Sequence, residues 1–94
     1  MDRQLTKIVL VDDDRMIRKA AETTLRRHGC TVSTASDGEE ALRLIRAERP
    51  NIIVLDLIIP KVQGFSVLQT LKQDAATSAI PVIVLSNLGQ ERDR

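Results

Sequence analysis

The chain has 94 residues, of which 43% are hydrophobic and 29% charged, a composition typical of one small soluble globular domain. Its net charge of +1 gives no electrostatic basis for binding nucleic acid, since nucleic-acid-binding proteins usually carry a clear basic excess. No apolar run approaches the roughly 18 residues of a membrane span, the N-terminus lacks a signal-peptide pattern, and the single Cys30 cannot form an internal disulfide. We therefore expect a cytoplasmic protein without direct membrane or nucleic-acid partners.

Strand and helix patterns alternate along the first half of the chain. Residues 6–11 are apolar without alternation, which predicts a strand buried on both faces. Asp14 then lies in position to cap a helix that runs to about His28, and Gly29 follows at the place where helices commonly end. Residues 31–35 alternate only weakly, which predicts an edge strand.

The same alternation continues after the edge strand. Asp37 and Glu40 form a capping box for a helix that ends at about Glu48, and Pro50 prevents its continuation. Residues 51–57 form the most apolar strand, which we expect at the centre of the sheet.

A third helix from about residue 63 to residue 73 and a buried strand over residues 80–86 complete the pattern. This order predicts an α/β fold with a parallel sheet and right-handed crossovers. With the weak second strand at the edge, the expected strand order is 2-1-3-4. The first and third strands are then neighbours, and their connections leave in opposite directions. Open α/β sheets bind ligands at this topological switch point, outside the carboxyl ends of the strands.

Acidic and hydroxyl side chains follow three of the predicted strands. Asp12 and Asp13 follow the first strand, and Asp56 lies at the end of the third. Ser86 lies at the end of the fourth. Carboxylates gathered at one sheet edge repel each other unless a cation lies among them, and Mg²⁺ is the usual hard cation for oxygen ligands. The pattern predicts a magnesium site that handles phosphate; the plainer alternatives are turn acids that cap a helix and a polar residue that ends a strand.

Four segments, in this order and spacing, resemble the receiver domains of two-component response regulators. They are residues 8–14, 35–42, 56–60 and 81–86. Gly64 also falls where the family has glycine. Each segment alone is a weak signal, but together they cover the whole chain. The resemblance implies that residues 1–94 are one receiver domain with a flavodoxin-like, doubly wound parallel sheet.

The resemblance also implies a role for each residue at the sheet edge. Asp56 corresponds to the phosphoacceptor, which takes a phosphoryl group from a histidine kinase or phosphotransfer protein in the presence of Mg²⁺. Asp13 would bind the metal directly and Asp12 through water. Asp56 and the backbone carbonyl of Ile58 would complete the protein ligands. Ser86 matches the hydroxyl that donates a hydrogen bond to a phosphoryl oxygen after transfer. The implied role is that of a signalling phosphoacceptor and not of an enzyme.

Two apolar residues flank the implied path of the water that hydrolyses the phosphorylated aspartate in receivers. These are the positions two after the phosphoacceptor and two after the hydroxyl residue, here Ile58 and Leu88. Neither side chain can orient a water molecule, so the sequence predicts slow dephosphorylation.

The first helix has a basic outer face. Its cationic residues are Arg15, Arg18, Lys19, Arg26 and Arg27. An ordinary solvated face explains this charge; in the receiver family this helix also helps to dock the partner kinase.

Receivers continue with a helix, a fifth strand and a last helix, and the sequence ends at Arg94 before them. The fifth strand normally supplies a lysine that pairs with the phosphoryl group and an aromatic residue that acts as a switch. We expect the apolar edge over residues 80–86 to pair with another copy, giving a homodimer or higher oligomer. The alternative function is a shortened receiver that acts as a self-associating assembly unit without phosphotransfer. A flavin-binding role is poorly supported, because a phosphate loop and aromatic residues to enclose a flavin are missing.

Overall fold

Strands and helices alternate strictly in the computed structural model of the chain, which describes residues 6–56 and 64–85. The elements are β1 (Lys7–Val11), α1 (Arg15–Arg27), β2 (Thr31–Ala35), α2 (Gly38–Glu48), β3 (Ile52–Asp56), α3 (Gly64–Gln73) and β4 (Val82–Leu85). Each predicted element is present, and most boundaries agree within one residue. Residue 63, the expected start of α3, lies outside the described residues.

The four strands form one parallel sheet in the order β2-β1-β3-β4, which confirms the predicted order. β2 is at one edge, as its weak alternation indicated, and the strongly apolar β3 lies between β1 and β4. Within the described ranges the fold is therefore a flavodoxin-like, doubly wound parallel sheet with four strands and three helices.

α2 and α3 pack against one face of the sheet. Because side chains alternate between the two faces of a strand, Val9 and Val11 point toward these helices while Ile8 and Leu10 point away. Among the described residues, the core on this face is aliphatic. It consists of Val9, Val11, Ala35, Ala41, Ile45, Ile53, Leu55, Val67 and Leu71, each at most 1% exposed. Burial of each larger side chain stabilises the fold by about 1.5–3 kcal/mol.

α1 lies on the opposite face and is poorly covered. The 3–4 spacing of Ile17, Ala21, Leu25 and His28 places these residues on one face of the helix, which is the pattern of an inward-facing stripe, but α1 has no fully buried residue. Ala21 and Leu25 are half-buried, whereas Ile17 is 49% exposed and His28 is exposed. The reason is that α1 is alone on this face among the described elements. Beside it runs an open apolar groove, here called the α1 groove, which is lined in part by Leu10, Ile17, Leu25, Val54 and Leu85.

The helix ends follow the capping residues in the sequence. The Asp14 carboxylate accepts two backbone N–H groups of the first turn of α1, at 2.9 and 3.1 Å. Asp37 accepts the N–H of Glu40 at 2.9 Å, and the Glu40 carboxylate in turn accepts the N–H of Ser36. Gly29 follows α1 with a φ of 87°, a left-handed conformation that favours glycine. None of the described helices is long and apolar enough to cross a bilayer.

β4 is shorter than the predicted strand over residues 80–86. Ile80 ends a turn, in which its N–H donates to Thr77, and Pro81 precedes the strand. Ser86 lies outside the described residues. Among the described strands β4 forms the second sheet edge, and it leaves Ile83 52% and Val84 38% exposed. Both side chains are large and apolar, so this edge is a template for pairing with another strand.

We expect the chain to self-associate through this edge and the α1 groove. Antiparallel pairing of two β4 strands about a twofold axis would satisfy the backbone groups that pair with no other described strand, and would cover Ile83 and Val84. Size-exclusion chromatography with light scattering should give the mass of a dimer or a larger oligomer. Val84→Pro, which removes a backbone donor from the strand, should weaken the association, although it also strains the monomer. A folded, cooperative monomer at high micromolar concentration would contradict this prediction.

Candidate functional site

The carboxyl ends of β1 and β3 lie side by side, because these strands pair in parallel with Val11 opposite Leu55. Asp12 follows Val11 and Asp56 follows Leu55, so both residues reach the same edge of the sheet at the same level. Together with Asp13 they form an acidic cluster, in which one oxygen of each carboxylate lies within 4.8 Å of the others. The three aspartates that the sequence analysis singled out are thus brought together.

The members of the acidic cluster differ in their surroundings. Asp12 is only 4% exposed and Asp56 only 3%, whereas Asp13 is exposed. Burial of a carboxylate is unfavourable without hydrogen bonds or a counter-charge. The cluster therefore has two carboxylates at the base of the site and one at its solvent side.

Hydrogen bonds fix the backbone around Asp12. Its N–H donates to the carbonyl of Ala35 on β2 at 3.1 Å. Its carboxylate accepts the N–H of Asp14 at 2.9 Å, and its carbonyl accepts Nη1 of Arg18 at 2.8 Å. Asp13 is thus carried between two anchored residues, Asp12 and the helix cap Asp14. This is a rigid support for a side chain that faces solvent.

The electrostatics of the cluster are unfavourable in the absence of a cation. Burial raises the pKa of the Asp12 carboxyl above its usual value, and the hydrogen bond from the Asp14 N–H partly opposes this rise. The negative charges of Asp56, Asp13 and Asp14 raise the same pKa further. Every charge that acts on this pKa is therefore that of another aspartate.

The donor set of the cluster fits a hard divalent cation. Three carboxylates offer only oxygen ligands, and Mg²⁺ binds through one or two carboxylates with water in the rest of its shell. A cation among these groups would also relieve the repulsion that raises the pKa of Asp12. Neither histidine nor cysteine belongs to the cluster, which disfavours zinc.

Three predicted site residues, Ile58, Ser86 and Leu88, lie outside the described residues. Leu85 pairs with Asp56, so the end of β4 reaches the same sheet edge as the end of β3. Ser86 follows Leu85 directly in the sequence. The roles of all three residues stay predictions.

One residue beside the site was not singled out from the sequence. Arg18 was counted as part of the solvated basic face of α1, but it is half-buried and its guanidinium donates to the Asp12 carbonyl. Arg26, also counted there, donates to the carbonyl of Val32 at 2.9 Å and pairs with Glu22 at 3.1 Å. The only sequence signal for Arg18 is its position one turn after the helix cap, which is weak.

The comparisons with known proteins agree on one family. The model for the response regulator receiver domain matches residues 8–94. A probable transcriptional regulator of Guillardia theta, ycf27, is 46% identical over 88 residues, which are 94% of this chain and 34% of that protein. The chain spans only about a third of the length of this curated relative.

Solved receiver structures resemble the chain closely. The N-terminal domain of a response regulator receiver protein from Methanoculleus marisnigri is 37% identical with a TM-score of 0.82, over 86% of this chain and 66% of that one. The phosphorylated cyanobacterial phytochrome response regulator RcpA is 34% identical with a TM-score of 0.84, over 94% of this chain and 70% of that one. Receiver domains are generally signalling modules and not conventional enzymes. The acidic cluster thus lies in a chain that belongs to the response regulator receiver domain family.

Proposed function

We propose that Asp56 accepts a phosphoryl group from a histidine kinase or phosphotransfer protein, in a reaction that requires Mg²⁺ at the acidic cluster. The observation that carries this proposal is the position of Asp56, which is buried at the end of a central strand within 4.8 Å of two further carboxylates. Family membership supports it, and so does the phosphorylated state named for the related RcpA. The proposal places the reaction in the cytoplasm.

The proposed step is a transfer between two nucleophiles. An oxygen of Asp56 attacks phosphorus, the P–N bond of a donor phosphohistidine breaks, and the imidazole keeps the electron pair and takes up a proton. The carboxylates of the cluster would repel an incoming phosphoryl group. Mg²⁺, when bound, supplies the positive charge that offsets this repulsion.

Each of the other site residues has a part in the proposal. Asp13 would hold Mg²⁺ directly, because it is the exposed member of the cluster and its backbone is anchored on both sides. Asp12 would act through water, because its carboxylate already accepts the Asp14 N–H. The backbone carbonyl of Ile58 would complete the ligands. Ser86 would donate a hydrogen bond to the transferred group.

Labelling with acetyl phosphate, a small phosphoryl donor, tests the proposal. The chain should gain the mass of one phosphoryl group in the presence of Mg²⁺ and none in excess chelator. Asp56→Asn should abolish the gain, since an amide cannot form the acyl phosphate. Asp74→Asn is the matched control, because Asp74 lies in the turn after α3, away from the cluster, and should label like the unmodified chain.

An assembly role is the second candidate, and the exposed β4 edge with Ile83 and Val84 favours it. A stable oligomer that takes up no phosphoryl group from acetyl phosphate or a phosphorylated kinase would support this role and contradict phosphotransfer. An oligomer that labels on Asp56 would show that association and phosphotransfer are compatible.

Phosphorylated Asp56 should hydrolyse slowly by the standards of receivers. The apolar Ile58 and Leu88 offer no group that can orient an attacking water. Ile58→Asn with Leu88→Glu should raise the hydrolysis rate by about tenfold or more, measured as loss of the phosphoryl mass after the donor is removed. The control is the double alanine variant, which widens access without adding a polar group and should change the rate less. An unchanged rate in the polar variant rejects this explanation.

A further inference from the structure

We infer that Arg18 is a positioning residue for the acidic cluster: its guanidinium holds the Asp12 carbonyl and so fixes the loop that presents Asp13 to a divalent cation. This inference rests on the proposed Mg²⁺ role of the cluster. It concerns a residue that is not a metal ligand and is not expected to contact the phosphoryl group.

Arg18 joins the start of α1 to the end of β1 by two contacts. Its backbone N–H donates to the carbonyl of Asp14 at 2.9 Å, as the first hydrogen bond of the helix. Its side chain reaches back over the same turn, and Nη1 donates to the carbonyl of Asp12 at 2.8 Å. The three-residue loop from Asp12 to Asp14 is therefore held at both ends by one residue, and Asp13 lies in its middle.

Loss of this donor should be unfavourable for the Asp12 carbonyl. Asp12 is only 4% exposed, and a buried carbonyl without a partner is unfavourable. If the arginine side chain is removed, either entering water or a shifted loop must satisfy this carbonyl, and neither ties the loop to α1 as the guanidinium does. Loss of this tie would let the backbone of Asp13 move, and metal affinity depends strongly on the groups that orient the ligands.

The choice of acceptor matters for the function of the cluster. A guanidinium paired with the Asp12 carboxylate would neutralise a charge that a cation requires. The recorded contact is with the backbone carbonyl, which leaves the carboxylate oxygens to the Asp14 N–H and to a ligand. Arg18 can therefore order the loop without occupying the metal-binding oxygens.

Arg26 provides a matched control on the same helix. Its guanidinium also donates to a backbone carbonyl six residues away, that of Val32, at 2.9 Å. Val32 belongs neither to the acidic cluster nor to the loop from Asp12 to Asp14. Arg26→Ala removes the same side chain, the same charge and the same kind of contact, together with an i,i+4 ion pair to Glu22, which on a helix surface contributes little to stability. A general loss of stability should therefore be similar in the two variants, while an effect on the site should belong to Arg18 alone.

Binding of Mg²⁺ to the unphosphorylated full chain, measured by titration calorimetry, is the first test. Arg18→Ala should raise the Kd for Mg²⁺ by about tenfold. Arg18→Lys, which keeps a cationic donor on a slightly shorter side chain, should recover part of this loss. Arg26→Ala should stay within about twofold of the unmodified chain. Equal Kd values for Arg18→Ala and the unmodified chain, or an equal loss in Arg26→Ala, would overturn the inference.

Two further measurements separate this inference from the proposed function. In metal-free protein, the Asp14 amide should exchange with solvent faster in Arg18→Ala than in Arg26→Ala, whether or not Asp56 accepts phosphate; equal rates would count against the inference. The Mg²⁺ concentration that gives half-maximal labelling with acetyl phosphate should rise in Arg18→Ala by about the same factor as the Kd for Mg²⁺. A chain that binds Mg²⁺ but never labels would contradict the phosphoacceptor proposal and leave the positioning role intact.

Discussion

Asp13→Asn should abolish detectable Mg²⁺ binding and raise the melting temperature of the metal-free protein. The first effect follows because Asp13 is the exposed carboxylate of the cluster and an amide lacks the charge that holds the cation. The second follows because its charge is one of those that raise the pKa of the buried Asp12. Removing a like charge at this distance should stabilise the fold by on the order of 1 kcal/mol, or about 4–8 °C in Tm.

The pH dependence of this stabilisation has a defined sign. The pKa of Asp12 is raised in the folded state above its ordinary value of 3.8, so ionisation of Asp12 lowers the stability of the fold as pH rises through this region. At neutral pH the full cost is present, and Asp13→Asn removes part of it. As pH falls toward 3.8 and below, Asp12 becomes protonated in both proteins, and the advantage of the variant should disappear.

Calorimetry and thermal melts in chelator at several pH values check both effects. The matched control is Asp74→Asn, which removes the same charge from the turn after α3 and should leave Mg²⁺ binding unchanged. A lower apo Tm for Asp13→Asn at neutral pH, or an advantage that grows as pH falls, would refute the repulsion account. Retained Mg²⁺ affinity would show that another group holds the metal.

Ile53→Ala should remove a large part of the stability of the domain. Ile53 is fully buried in β3 and packs in the aliphatic core between the sheet and α2 and α3. Truncation of a buried isoleucine costs about 2–5 kcal/mol, because apolar contacts are lost and a cavity remains. Small domains have only about 5–15 kcal/mol in total, so the variant should be partly unfolded near body temperature.

Ile83→Ala is the control for this prediction. The residue type and the change are the same, but Ile83 is 52% exposed on the neighbouring strand β4. In dilute protein, urea unfolding should show a loss of less than about 1 kcal/mol for this variant. A loss that grows with protein concentration would instead indicate that Ile83 is buried between copies. Equal losses for the two variants in dilute protein would contradict the assignment of the core to the face of α2 and α3.

The sheet and the acidic cluster were predictable because local sequence patterns identify the strands, and the strand order then fixes which strand ends meet. Unbroken apolar runs identify β1 and β3 as buried parallel strands, and parallel strands end at a common edge. Asp12 directly follows the apolar run of β1, and Asp56 ends that of β3. The proximity of these two residues therefore follows from the topology of the sheet. The caps Asp14 and Asp37 were equally clear, since the capping carboxylate and its N–H partners lie within one helical turn.

Other features depend on neighbours that the sequence pattern does not reveal. The spacing of Ile17 and Leu25 indicates a helix face but not how much of it is covered, and the structure leaves Ile17 half exposed. Ile80 is apolar and was expected in β4, yet its N–H bonds within a turn. The contact of Arg18 with the Asp12 carbonyl could not be predicted from the sequence. A long arginine side chain can reach several acceptors, and the position of Arg18 on a basic helix face does not indicate which one it contacts.

The pairing of β1 with both β2 and β3 has a kinetic consequence. The β1–β2 pair closes a short loop through α1, whereas the β1–β3 pair must close a loop of roughly forty residues, and long loops form late. Asp12 and Asp56 become neighbours only at that second step. The cluster therefore does not exist in an intermediate that contains only the first two strands. A divalent cation should slow unfolding without accelerating the earliest stage of folding, so metal binding would report, in real time, the moment at which the central strands meet.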